Sequence, residues 1–203
     1  MCYTLRMFPS EIIYFGAGLQ FIGIVFYLRS IYKDVAKPNL VSWLIWALAP
    51  LIGTYFLVKA GAGLSALPVF MAGFGPFLVI IFATYRGNAF WKLRAFDLYC
   101  GVLSLLALII YILTRNLGIS IFFAIMSDFL ACVPTVLKSW HFPETESPLI
   151  YFFALVSNSL GLLALKYWSF STAAFSIFMI LQCVVILFSI YHKRIFPISE
   201  TKV

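Results

Sequence analysis

A bundle of seven membrane-spanning α-helices is the fold this sequence predicts, and three observations predict it. Seven apolar stretches occupy nearly all of the 203 residues. Apolar residues make up 64% of the chain and charged residues 10%, with a mean hydropathy of +1.04. A soluble domain cannot hide that much apolar surface, so lipid must cover most of it. The apolar runs also lack the alternation of transmembrane strands, which leaves helices as the spanning element.

The stretches follow in order. The first runs from Ile12 to Leu28, between Glu11 and Arg29, and the second from about Leu40 to Val58. The third lies between Lys59 and Arg86, and the fourth between Asp97 and Arg115. The fifth lies between Arg115 and Lys138 and contains one charge, Asp128. The sixth runs from about Pro148 to Leu165 and the seventh from about Phe170 to Tyr191. At about 1.5 Å per residue, roughly 17–25 residues cross the hydrocarbon core. All seven qualify, the first and fourth near the lower limit.

Seven crossings put the chain ends on opposite sides. With the C-terminus lie Arg29, Lys33, Lys37, Arg86, Lys92, Arg94, Lys138, Lys193, Arg194 and Lys202. With the N-terminus lie Arg6, Lys59, Arg115 and Lys166. The positive-inside rule then predicts an outside N-terminus and a cytoplasmic C-terminus. This asymmetry accounts for the net charge of +7, and no soluble basic face exists for nucleic acid. No small-residue cleavage pattern follows the first apolar run, so it reads as a retained span. Short loops suggest a bacterial inner membrane. Cys2, Cys100, Cys132 and Cys183 are scattered without metal-ligand spacing, so neither metal nor cofactor is expected.

The chain matches itself at an offset of 105 residues, Lys33 to Leu57 falling on Lys138 to Leu162. Lys33 meets Lys138, Pro38 meets Pro143 and Ser42 meets Ser147. Leu44 and Ile45 meet Leu149 and Ile150, Ala49 meets Ala154, and Leu57 meets Leu162. The Lys-x4-Pro-x3-Ser pattern recurs at the same helix junction. The expected organisation is a three-helix repeat over 1–94, a linker helix over 95–116 and a second repeat over 117–203. A three-helix unit plus one linking helix leaves the halves parallel, with a site expected between them near the midplane. One chain holds both halves, so a monomer suffices, with a homodimer as the alternative.

This 3+1+3 arrangement resembles the PQ-loop and SWEET superfamily of small transporters. The resemblance is clearest from Val133 to Trp140, where Pro134-Thr135 takes the position of the family's Pro-Gln pair. Ser147-Pro148 then opens the sixth helix, and Asn158 follows ten residues after Pro148, similar to the SWEET sixth helix. In the first half Arg29-Ser30 stands at the Pro-Gln position, Trp43 stands where a helix-opening proline would, and Leu57 and Leu162 replace tryptophans. The resemblance implies a transporter moving a small polar solute, such as a sugar, amino acid or related metabolite, by alternating access. A receptor or scaffold of the same fold, binding a peptide or protein partner without transport, is the second expectation. By the resemblance Pro134 and Pro148 are hinge positions.

Candidate site residues are the polar groups inside the spans. Asp128 is the only acid deep in any stretch, and a carboxylate at a helix centre costs about 2.5–3.5 kcal/mol. It reads as a proton-coupling group or the partner of a cationic substrate; a structural hydrogen bond or a hydrated interfacial position is the alternative. Asn158, flanked by Ser157 and Ser159, offers donors and acceptors to a polar solute, or holds a neighbouring helix. Gln182 and Gln20 are similar candidates. Trp43 suits the interfacial belt, and Trp46, a turn deeper, suits stacking on a solute. Asn39 or Ser42 is positioned to cap the second helix. Pro50, Pro68, Pro76 and Pro134 each remove a backbone donor within a helix, as kinks or hinges. Gly61, Gly63, Gly73 and Gly75 favour close packing. No catalytic motif is present, so an enzyme is not expected.

Overall fold

The computed structural model describes residues 11–59, 67–87, 90–114, 117–164 and 170–195. Cys2, Arg6, Gly61, Gly63, Arg115, Lys166 and Lys202 lie outside the described residues, as do the side chains of Leu57 and Lys59. The described elements are α1 (Ile12–Tyr32), α2 (Leu40–Lys59), α3 (Leu67–Tyr85), α4 (Ala95–Leu113), α5 (Leu117–His141), α6 (Pro148–Leu163) and α7 (Phe170–Ile195). A 3-10 turn at Pro143–Thr145 links α5 to α6. Among the described residues, five helices are long and apolar enough to cross a membrane: α1, α3, α4, α5 over Ile121–His141, and α7 over Ala173–Ile195. The apolar stretch Leu40–Ile52 of α2 and the whole of α6 are shorter. The chain is an α-helical membrane protein.

Local chemistry fixes several helix ends. Asn39 caps α2, its Oδ1 accepting from Val41 N at 3.1 Å and Ser42 N at 3.4 Å, which satisfies orphan donors of the first turn. Asp97 reaches back from the third position of α4 to the Arg94 amide at 2.8 Å and adds negative charge where the helix dipole favours it. Pro148 opens α6 at a position where its missing N–H costs nothing. Pro68 is the second described residue of α3, and the residues before Leu67 lie outside the described ones. Pro50, Pro76 and Pro134 lie inside helices. Asp34, with φ 57°, ends α1 in the left-handed region that short polar side chains tolerate.

The patterning of α4 identifies its solvent. Asp97, Cys100, Gly101, Ser104 and Ala107 are buried, while Leu98, Tyr99, Val102, Leu103, Leu106 and Ile109 are exposed. Small and polar residues face protein and large apolar ones face outward, the reverse of a helix bathed in water. Some hydroxyls elsewhere return to their own helices, as Thr54 does to Pro50 O at 2.8 Å and Thr84 to Ile80 O at 2.8 Å, keeping those polar atoms satisfied away from water.

Packing is specific. α3 packs on both α1 and α2, and α7 on both α5 and α6. α1 packs on α6, α2 on α5, and α4 on α5 and α2. Glycines permit the closest approaches. A Cβ at Gly73 would meet Leu51 Cγ at 2.8 Å, with Ala47 O and Leu51 N at 3.0 Å. Gly75 opposes Ile24 of α1, and Gly23 opposes Ile150 and Phe153 of α6. Because α2 backbone lines the Gly73 contact, Gly73→Ala is expected to lower stability by about 1–3 kcal/mol. Gly161→Ala, with nothing within 4 Å of the new Cβ, should be neutral or better. Thermal unfolding in detergent compares the two, and equal midpoints would refute the close α2–α3 approach.

One end of the bundle collects charge. Lys37 N donates to Thr145 O at 2.9 Å and Trp91 N to Pro38 O at 3.0 Å. Lys193 Nζ donates to His141 O at 3.1 Å, and Arg86 pairs with Asp34 at 3.2 Å. These contacts draw the α1–α2, α3–α4 and α5–α6 connections and the end of α7 together.

Candidate functional site

A central cavity of about 70 Å³ is lined by every described helix except α4. From α1 come Gln20 and Ile24, from α2 Trp43, Trp46 and Pro50, and from α3 Met71, Ala72, Gly75 and Pro76. α5 supplies Asp128, α6 Tyr151 and Ala154, and α7 Gln182 and Cys183. Of the residues expected from sequence, Asp128, Trp46, Gln182, Gln20 and Pro50 therefore meet on one cavity. An engineered apolar cavity of about 150 Å³ holds benzene, so this chamber has room for a few waters or a very small solute.

Several of its polar atoms lack partners. Asp128 is 2% exposed, yet its Oδ2 has no hydrogen-bond partner, and neither has Gln182 Oε1. The indole Nε1 atoms of Trp43 and Trp46 are also buried without acceptors. Buried polar groups left unpaired are costly, and in native proteins such groups call for water, an ion or a ligand. The Gln182 side chain hydrogen-bonds Asp128 and also reaches Cys132. Trp43 and Trp46 meet edge to face with centroids 5.6 Å apart, and Trp43 also packs on Tyr27 at 4.6 Å.

Between this cavity and the charged end lies a layer that sequence reasoning missed. Lys138 and Glu146 form an ion pair whose side chains are 1% and 0% exposed. Glu146 Oε2 accepts from Tyr27 OH at 2.9 Å and from Tyr151 OH at 3.1 Å. Lys138 Nζ also donates to Lys37 O at 2.5 Å and lies 5.7 Å from the centre of the Trp91 ring. Thr135 Oγ1 donates to Ser42 Oγ at 2.8 Å. The cluster joins α1 and the α1–α2 connection to α5 and α6. Lys138 and Glu146 flank a proline-bearing polar loop, where charges are normally solvated. Their eight-residue separation across a tight turn was the only available signal. Tyr151 belongs to both places, with its ring on the cavity and its hydroxyl on Glu146.

Asn158 and two of the expected hinges sit elsewhere. Asn158 is half-buried, and its Nδ2 donates to Ala154 O of its own helix at 2.8 Å. It is not among the residues lining the cavity. On α6 it is Ser157 that faces α1, against Gly16. Pro134 borders a second cavity of about 180 Å³ at the charged end, with Arg94, Asp97, Lys138 and His141. Pro148 is the first residue of α6. No cluster of three metal-ligating side chains occurs among the described residues. Comparison with protein-family models, curated proteins and solved structures finds no match to the chain.

Proposed function

We propose that this chain is a transporter of the PQ-loop class that carries a small polar solute across the membrane by alternating access. The observation that carries the reading is the cavity at the meeting of six helices, with Asp128 and Gln182 buried in it and hydrogen-bonded to each other, one oxygen of each left without a partner. The proposed architecture is 3+1+3, with halves 1–94 and 117–203 and α4 as the linker. Exchanging α1 for α5, α2 for α6 and α3 for α7 turns the α1–α3, α2–α3 and α1–α6 packings into α5–α7, α6–α7 and α5–α2, all of which occur. Trp46 and Tyr151, 105 residues apart, both line the cavity. α4 does not line it, as suits a helix that only connects.

The basic end of the bundle is the cytoplasmic end on the positive-inside rule, with the N-terminus outside and a bacterial inner membrane as the setting. The Lys138–Glu146 cluster then closes the cytoplasmic side, and two parallel halves rock about the cavity to open it. Pro50, Pro134 and Pro148 are the proposed hinges. A receptor for a peptide fits less well, because a cavity of about 70 Å³ suits a small solute. The test is flux into proteoliposomes containing the purified full chain, with a panel of labelled sugars, amino acids and amines. Saturable uptake of any one is the expected result. Tight binding of a partner with no flux of the panel would favour the receptor reading instead.

A further inference from the structure

The charge and hydrogen-bonding character of the central cavity narrow the solute further. Among the described residues, Asp128 is the sole acidic or basic residue lining it, with no Lys, Arg or His. Gln182 donates to the Asp128 carboxylate, and Asp128 Oδ2 and Gln182 Oε1 are left as acceptors without donors. Pro50 and Pro76 lack an N–H, so the carbonyls four residues earlier lose their usual helical donor. Those carbonyls belong to Trp46 and Ala72, both lining residues. The aromatic rings of Trp43, Trp46 and Tyr151 complete the wall, and ring faces attract cations. A carboxylate solute could use the indole N–H groups but would meet like charge at Asp128.

We infer that the cavity takes a small cation bearing N–H donors, an amine or guanidinium, and exchanges it for the proton of Asp128. The inference deepens the transport reading and rests on it for the crossing step. In one loaded form Asp128 is a neutral carboxylic acid. When the cation enters, the O–H bond breaks, the proton leaves to water, and the carboxylate balances the cation. Both loaded forms are therefore electrically neutral, and the empty carboxylate is the costly one to bury. That difference forbids return without a proton or a cation.

Few groups compete for the proton. The titratable groups facing Asp128 are Cys132 on its own helix and Cys183 on α7. On α4, Asp97 and Cys100 lie nearer the charged end, Asp97 being held by the Arg94 amide. α2 brings Trp43 and Trp46 to the cavity, and across it stands Tyr151 of α6, its hydroxyl engaged by Glu146.

The test titrates the purified full chain in weakly buffered detergent with guanidinium chloride, replacing sodium chloride at constant chloride. Tryptophan fluorescence and a pH indicator are read together, from mildly acidic to mildly alkaline solution. A saturable fluorescence change with release of up to one proton per chain is expected, and Asp128→Asn should lose both. Asp128→Glu keeps the carboxyl and should retain proton release with about tenfold weaker binding, which separates loss of the group from loss of the fold. Urea, the neutral counterpart, should give neither signal. An equal response to urea, or guanidinium binding without proton release, overturns the inference. In vesicles, binding and proton release without flux would uphold the site and overturn transport. Flux of a neutral solute by a chain that ignores guanidinium would uphold transport and overturn the cation assignment.

Discussion

Glu146→Leu should destabilise the protein by about 3–5 kcal/mol, the cost of leaving one member of a buried ion pair without its partner. Lys138 is 1% exposed on its side chain, and its remaining partners are the carbonyls of Lys37 and Thr145. Two neutral carbonyl acceptors do not replace a carboxylate. The hydroxyls of Tyr27 and Tyr151 lose their shared acceptor in the same step. The double variant Lys138→Met with Glu146→Leu should recover most of the loss, because apolar replacement of a whole buried pair is often neutral or stabilising. Chemical denaturation of the four proteins of this cycle, in detergent, gives the coupling directly. Additive losses would mean that the two side chains do not depend on each other.

The second large effect concerns coupling. If one cation exchanges for one proton, a gradient of one pH unit across a vesicle corresponds to about 1.4 kcal/mol, or tenfold accumulation of the cation. Asp128→Asn keeps size and hydrogen-bonding capacity but cannot lose a proton. It should abolish accumulation of the cation at every gradient. Since the exchange moves no net charge, a membrane potential of about 100 mV, worth about 2.3 kcal/mol per charge, should not alter wild-type accumulation. Guanidinium accumulation that followed voltage, or that persisted in Asp128→Asn, would remove the carboxyl from the coupling step.

Much of this was legible in the sequence because lipid imposes a simple code. Long apolar runs bounded by charges fixed the helices to within a few residues: α2 begins at Leu40 and α6 at Pro148 as read. Asp128 stood out because an acid in an apolar run has few reasons to be there. Trp46, Gln20 and Gln182 are legible as polar or aromatic groups within apolar spans, and the bundle brings them to one cavity. Rotation about the helix axis is harder to read. The hydrophobic periodicity that reveals a buried face in water nearly vanishes when the outer face is also apolar. Asn158 is the example: it lies within an apolar span, yet its amide turns to its own helix. Lys138 and Glu146 were hidden for a different reason. Charges near a loop are normally solvated, and only the fold of the Pro143–Thr145 turn brings the two together under the Trp91 ring.

Tyr151 gives the central chamber and the ionic layer a shared member, since one ring cannot move without disturbing the other's hydrogen bond. Thermodynamic reciprocity then applies: whatever weakens the tyrosine's hold on Glu146 when a guest arrives must, by the same factor, tighten guest affinity when that hold is released. Tyr151→Phe should sever this linkage while leaving the aromatic wall intact, so that occupancy and release become independent events.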